Sequence, residues 1–362
     1  MSSSPILLLT GGGTAGHVSP NLALLPVLRA RGFQVEYVGS PDGMERELAE
    51  RAGVPYHAVH VGKLRRYASV QNLLDPFRTL QGINEAQQLI RRLRPVAVFS
   101  KGGFVGVPPV VAAWLCGVPA VVHESDLSPG LANRLSFPFA KRVCVTFEET
   151  LARVPRAKGV HTGTPIRREL LAGDAAQARS RWKLSPSLRT LVVFGGSQGA
   201  RALNDVVRSL VRQDLTGWQV LHVCGPGNLD PELEKRPAYH QFEYLHAEWP
   251  DALACADAVL CRGGANSLVE MVALGKLAIV VPLPAVASRG DQLENARRYA
   301  SRGYGLAVAQ EELTPERLRS ALEELLQRAP ELEAAMRRDA PFDSAERIAD
   351  LLDEVRLRPD RS

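Results

Sequence analysis

The sequence predicts an α/β protein made of two similar parallel-sheet domains, and three observations lead there. Short apolar runs end repeatedly in glycine-rich loops that open into helical stretches, the signature of strand–turn–helix units. The order of these loops repeats once along the chain. Leu9-Thr10-Gly11-Gly12 is matched by Phe194-Gly195-Gly196-Ser197-Gln198-Gly199, and Phe99-Ser100-Lys101-Gly102-Gly103 by Leu260-Cys261-Arg262-Gly263-Gly264. Finally, 362 residues exceed one small domain and suit two of ordinary size.

Taken in order, Ile6 to Leu9 reads as a buried strand, followed by the loop Thr10–His17 and an amphipathic helix to about Ala30. The loop formally matches G-x-G-x-x-G, with Glu36 twenty residues after Gly16. A dinucleotide site needs that acid at the carboxyl end of the second strand. Glu36 instead lies inside Gln34–Val38, with Gly39 marking the end, so the loop is not specifically one for NAD. Helix signals follow over 43–51 and a strand near 56–61. The stretch Lys63–Leu80 mixes basic residues with Leu73, Leu74, Phe77 and Leu80 at helical spacing. Such a stripe is either core packing or an interfacial surface whose apolar residues dip into lipid. A strand at 96–100, a helix around 109–116 and a strand at 120–123 complete the first half, and the junction falls near Thr162–Arg167. The domains are thus expected at 1–163 and 164–342.

The second half opens with a charged helical stretch at 168–182 and strands at 190–194, 219–224 and 242–245. Val259–Pro284 then reads strand, glycine turn, helix, strand. Its helix starts near Asn266-Ser267 and stops at Gly275. Gly263 and Gly264 let backbone N–H groups approach a ligand, and the helix N-terminus behind them suits a phosphate. Arg262 adds a formal charge there. Glu270, one turn in, has the lone pairs to accept both hydroxyls of a ribose. Ser267-Leu268-Val269-Glu270 is also a capping box, which would make Glu270 a residue of its own helix end. Gln292 and Asn295 share a face of the next helix. The tail 343–357 forms an amphipathic helix expected to pack back on the first domain.

Composition narrows the function. Hydrophobic residues make up 45% and charged residues 23%, which is ordinary for a globular enzyme. A net charge of +5 and a pI near 9.0 point to an acidic partner, such as anionic lipid or a phosphorylated substrate. With 6% aromatics and no basic run interleaved with them, nucleic acid is not expected. Cys116, Cys144, Cys224, Cys255 and Cys261 are odd in number, form no CxxC and read as buried free thiols of a reducing compartment. The N-terminus lacks the positive flank of a signal peptide, and prolines and glycines break the uncharged run 104–122. A cytoplasmic protein, touching a membrane from that side, is the expectation. There is no DxD pair, HExxH or Walker sequence. A phosphate would therefore be held by backbone N–H groups, helix dipoles and arginines, without a metal or other cofactor.

Four segments resemble the MurG family of bacterial transferases. They are Gly12-Gly13-Thr14-Ala15-Gly16-His17-Val18, His123-Glu124-Ser125-Asp126 with Pro129-Gly130-Leu131-Ala132-Asn133, Gly195–Arg201, and Asp291–Asn295. The resemblance covers nearly the whole chain in the right order. It implies a GT-B fold, with two Rossmann-like domains facing across a cleft. It also implies transfer of N-acetylglucosamine from UDP-N-acetylglucosamine to lipid I, with inversion at the anomeric carbon, at the cytoplasmic face of the membrane. Carried over by position, Thr14, Ala15 and Gly16 lie at the sugar and diphosphate end. Arg167 and Ser197 meet the nucleotide or its phosphates, and the backbone near His246 meets uracil. Ala265, Asn266, Ser267 and Glu270 hold phosphate and ribose, and Gln292 and Asn295 read the sugar hydroxyls. His17 is the expected base, with Asp126 its competitor and Arg262 a further aid to the leaving group. Many members have Glu-Gln-Asn where this chain has Glu124-Ser125-Asp126, a departure that touches the role of Asp126. A polyprenyl-linked acceptor favours the interfacial reading of Leu73, Leu74, Phe77 and Leu80, with Trp114 a neighbour. Anionic lipid and other cell-wall synthesis proteins are the implied partners. The alternatives are a relative that glycosylates diacylglycerol, an epimerase of the same fold, and a non-catalytic nucleotide-sugar-binding subunit.

Overall fold

The computed structural model describes residues 4–62, 71–213, 215–286, 288–339 and 343–356, with the side chains of all of these except 15 and 71–74. The chain forms two compact units, residues 1–167 with 342–362, and residues 168–341.

The first unit is a seven-stranded, all-parallel sheet. Its strands are β1 (Ile6–Thr10), β2 (Gln34–Gly39), β3 (Tyr56–Ala58), β4 (Ala97–Ser100), β5 (Ala120–Glu124), β6 (Arg142–Val145) and β7 (Gly159–His161), in the order 3-2-1-4-5-6-7. Its helices are α1 (Ala15–Ala23), α2 (Leu25–Ala30), α3 (Met44–Arg51), α4 (Gln71–Leu93), α5 (Val107–Leu115) and α6 (Leu131–Ser136). A parallel sheet covered on both faces needs strands that are apolar throughout. In β1, accordingly, Leu7 and Leu9 enter one core with Val18, Leu24 and Leu28, while Leu8 enters the other with Ile90 and Val110.

The single helix expected to Ala30 is two. Pro26, in the first turn of α2, lacks the N–H that would continue α1. Glu36 lies inside β2, buried, with its carboxylate 2.7 Å from His57 Nε2, so it marks no ribose site.

The second unit holds a six-stranded parallel sheet of β8 (Arg189–Phe194), β9 (Trp218–Val223), β10 (Tyr239–Phe242), β11 (Ala258–Cys261), β12 (Ala278–Val280) and β13 (Gly305–Ala307). The order is 10-9-8-11-12-13, which repeats the first six strands of the other sheet one for one. Around it run α7 (Ala175–Arg181), α8 (Arg201–Gln213), α9 (Trp249–Ala254), α10 (Ala265–Ala273), α11 (Asp291–Ser301), α12 (Pro315–Gln327) and α13 (Ala329–Arg338). The charged stretch 168–182 is not one helix. It is a short 3-10 turn at Arg168–Ala172 followed by α7, which Asp174 caps by accepting from the N–H groups of Ala176 and Gln177. The strand expected at 242–245 ends where it was to begin. The ladder runs through Tyr239–Phe242, and the residues after it turn toward the loop that follows β8.

The tail returns to the first unit as α14 (Ser344–Val355). Ile348, Ala349 and Leu352 are fully buried in the core that holds Leu25 and Leu28. Arg31, just past α2, reaches Glu346 and Asp350 at 2.6 Å and Asp353 at 2.9 Å.

Candidate active site

In a sheet of order 3-2-1-4-5-6 the connections reverse between strands 1 and 4, and ligands bind beyond the carboxyl ends of the strands at that point. The sequence places a glycine loop after each of those strands in both units, after β1 and β4 in the first and β8 and β11 in the second.

In the first unit the loop after β1 is built from below. Tyr37 Oη donates to Gly11 O at 2.6 Å, and Asn21 Nδ2 donates to Thr10 O at 2.9 Å. Glu45 is fully buried; its carboxylate accepts from Gly13 N at 3.2 Å and Ser40 N at 3.1 Å. A Cβ on Gly12 would lie 2.5 Å from the Glu45 carboxyl carbon, so any side chain there would have to displace that carboxylate. A Cβ on Gly103 would meet Gly12 O at 2.4 Å, so the loops after β1 and β4 lie against each other. His17 stands in the first turn of α1, its Nδ1 3.0 Å from Thr14 Oγ1. Thr14, Ala15, Gly16 and His17 are thus gathered in one turn at the switch point.

Asp126 follows β5, two strands away from β1 in the same sheet. Glu124 braces its segment, accepting from Asp126 N at 2.9 Å, Gly130 N at 2.9 Å and Asn133 Nδ2 at 2.8 Å. Beneath this segment lies Lys101, 1% exposed, which sequence reasoning did not single out. Its Nζ is 2.7 Å from His123 Nδ1, 2.7 Å from Ser125 Oγ and 2.8 Å from Thr164 Oγ1. Burial pushes the Lys101 amine down to about 7, against the pull of the Glu124, Asp126 and Cys144 side chains. His123, buried beside it, is pushed well below its ordinary value by burial and by the Lys101 charge.

In the second unit α10 begins at Ala265, capped by Gly264 without any side-chain hydrogen bond. The capping box does not form: the helix starts before Ser267, which is its third residue, so Glu270 lies well inside it. Space is open around Gly264, where an added Cβ would meet no atom within 4 Å. The first N–H groups of a helix have no partner within it, so this end offers donors to an anion. Glu270 stands one turn in and is half-buried.

Several predicted side chains serve this turn from behind. Arg262 is buried, and its guanidinium donates to Val281 O at 3.2 Å, Pro282 O at 3.4 Å and Gln310 Oε1 at 2.8 Å. Burial lowers its pKa from the ordinary value. Asn295 Nδ2 donates to Gly263 O at 3.3 Å. Gln292 Oε1 accepts from Leu283 N at 3.1 Å, and its backbone oxygen would lie 2.7 Å from a Cβ on Gly263. The first turn of α11 therefore packs directly on the glycine turn. Ser197 and His246 are joined through Tyr244, whose Oη donates to Ser197 O at 2.8 Å and whose ring stacks on His246 at 5.8 Å. Arg167 is the last residue of the first unit before the chain enters the second.

Of the apolar stripe, Phe77 is 71% exposed and Leu80 63%, so core packing does not explain them. Trp114 is 55% exposed, with one edge against Phe139. The side chains of Leu73 and Leu74 lie outside the described residues. Four of the five cysteines are buried and all five are free thiols.

The family model for the glycosyltransferase family 28 N-terminal domain matches residues 7–145, and that for its C-terminal domain matches residues 190–355. A Lachnoclostridium phytofermentans protein named UDP-N-acetylglucosamine--N-acetylmuramyl-(pentapeptide) pyrophosphoryl-undecaprenol N-acetylglucosamine transferase is 45% identical over 352 residues, which is 97% of this chain and 99% of that protein. A Geobacillus kaustophilus protein of the same name is 43% identical over 350 residues, 96% of this chain and 98% of its own. The crystal structure of Acinetobacter baumannii MurG superimposes with a TM-score of 0.76 at 27% identity, covering 97% of this chain and 99% of that one. On the two family-28 domain matches and relatives of this identity along almost the entire chain, the protein belongs to glycosyltransferase family 28.

Proposed function

We propose that the chain is an inverting, UDP-N-acetylglucosamine-dependent transferase. It adds N-acetylglucosamine to the C4 hydroxyl of undecaprenyl-pyrophosphoryl-N-acetylmuramyl-pentapeptide, which converts lipid I to lipid II in peptidoglycan synthesis. The observation that carries this reading is the near-complete match to relatives named for that transfer. The glycine turns supply groups the reaction needs.

For the donor, the open N-terminus of α10, with the backbone at Ala265, Asn266 and Ser267, takes the diphosphate, and Glu270 takes the ribose hydroxyls. Ser197 and Arg167 assist at the phosphates and the backbone near His246 meets uracil. The amide nitrogen of Gln292 remains for a sugar hydroxyl once its oxygen is held by Leu283 N. Arg262 and Asn295 act from behind by fixing Gly263 and its surroundings. In the first unit, the turn Thr14–His17 receives the reacting end of the substrates. His17 donates Nδ1–H to Thr14 Oγ1 in this reading, which leaves Nε2 basic. As the acceptor oxygen bonds to the anomeric carbon, Nε2 takes its proton. The bond from that carbon to the phosphate oxygen breaks, and UDP leaves with the electron pair.

Phe77, Leu80 and Trp114, solvent-exposed apolar side chains on a basic protein, support a peripheral place on anionic lipid at the cytoplasmic face. No helix among the described residues is long and apolar enough to cross a membrane.

The test offers UDP-N-acetylglucosamine with lipid I, with diacylglycerol, and alone, and follows UDP release and glycosylated lipid. Lipid II formed only with lipid I is the expected result. Glycosylated diacylglycerol means another acceptor, and an altered sugar without acceptor means an epimerase. UDP-sugar binding with no turnover in any arm means a binding subunit.

A further inference from the structure

Among the described residues, Lys101 is the one lysine buried at the carboxyl end of the first sheet, and its three contacts are the three a tetrahedral ammonium can make. They come from different parts of the unit: His123 from β5, Ser125 from the segment after β5, and Thr164 from beyond β7. His123 Nε2 lies 2.7 Å from Gly163 O, so that nitrogen carries the ring proton and Nδ1 is left as an acceptor for the lysine. A buried charge with every donor satisfied is compatible with burial; one donor unmatched would not be.

The segment that Lys101 holds is the one bearing Asp126. Glu124 secures it on one side through Asp126 N, Gly130 N and Asn133 Nδ2. Lys101 secures it on the other through Ser125 Oγ. The equivalent position in the second unit is Arg262, which likewise reaches over the end of the next strand, to Val281 O and Pro282 O. The difference is chemical: a guanidinium never loses its proton in a protein, whereas a buried amine can. We infer that Lys101 is a positioning residue for the transfer reaction, holding the Glu124–Ser125–Asp126 segment through Ser125, with a hold that changes when the amine loses its proton. This rests on the transferase reading above.

Losing the proton changes the geometry in a defined way. A neutral amine has two donors and a lone pair, so the hydroxyl of Ser125 or Thr164 must turn round and donate to Nζ. It also removes the positive charge that faces the Glu124 and Asp126 carboxylates and the Cys144 thiol. His123, the remaining titratable group in contact, is held neutral by burial and by the Lys101 charge and does not compensate. The amine sits near 7, so the change falls in the ordinary working range of pH.

The experiment measures kcat and KM from pH 6 to 9 for the unaltered chain, Lys101→Met and Ser125→Ala, with a melting curve for each. The unaltered chain should show a fall in kcat on the alkaline side. Lys101→Met should lose that limb and run at a low, flat kcat, down on the order of 10²-fold, the cost of misplacing reacting groups by about 1 Å. KM for UDP-N-acetylglucosamine should hold in both variants. Ser125→Ala, which removes one hydrogen bond and no apolar packing, should reproduce the lowered kcat. An alkaline limb in Lys101→Met parallel to that of the unaltered chain overturns the inference. So does a Ser125→Ala variant of full kcat, even if Lys101→Met fails to fold. An unaltered chain that transfers no sugar defeats the transferase reading itself, which keeps the two failures apart.

Discussion

At the scale of single residues, the site divides into groups that face outward and groups that hold them. Glu270 stands inside α10 and not at the cap position that the sequence also allowed, because the helix begins before Ser267. Glu270→Ala should therefore weaken UDP binding by about 1.5–3 kcal/mol, the range for a hydrogen bond to a charged group. Calorimetric titration beside a melting curve reads this, and unchanged affinity would end the ribose assignment. For the base, His17→Ala should keep UDP binding and lose roughly 10²–10⁴ in kcat, while Asp126→Asn loses much less. The reverse ranking would move the role to Asp126. The sequence marked Thr14, His17 and Glu270 through their places at glycine loops. It did not mark Lys101 or Glu45, since a charge looks solvated until the strands around it are known. The one available signal was the parallel between Lys101-Gly102-Gly103 and Arg262-Gly263-Gly264. The structure shows both basic residues buried in equivalent places.

At the scale of elements, glycine after an apolar run located the strand ends that matter. β1, β4, β8 and β11 all stop within a residue or so of where the pattern put them. β10 was misplaced because Phe242–Leu245 contains apolar residues as good as those of Tyr239–Phe242. What selects the true strand is pairing with Val220–Val223, a contact distant in sequence. The stripe on α4 was ambiguous for a similar reason, since periodicity gives a face but not what covers it. With Phe77 and Leu80 exposed, replacing both by Ser should change stability by no more than about 0.5 kcal/mol. The same change should release the protein from anionic vesicles and leave UDP binding intact. Sedimentation with vesicles measures this; a folded variant that still sediments fully would rule the patch out as the anchor.

At the scale of the whole molecule, burial of histidines sets the acid limit. His123 is held well below its ordinary value, and His222 is pushed down to about 3 by burial, with Arg208 adding to the effect. Between those values and 6.5 the unfolded chain binds protons that the folded chain refuses. The contribution of these two histidines to stability is therefore full above about pH 6.5 and falls as the pH drops, by up to about 1.4 kcal/mol per pH unit for each. Denaturant titrations at pH 7 and pH 5 should differ by a few kcal/mol, and equal midpoints would contradict the account. The repeated order of glycine loops made the doubled architecture legible early; the extra strand β7 was not, because its three residues carry no periodicity. The return of α14 to the first unit has a consequence for synthesis. Because the chain leaves that unit at Arg167 and comes back only after Pro341, the whole second unit emerges from the ribosome while the first still lacks the helix that seals Leu25 and Leu28. The second-made unit is thus the first that can finish folding. Until α14 arrives, the earlier one presents an apolar groove to whatever chaperone attends the nascent chain.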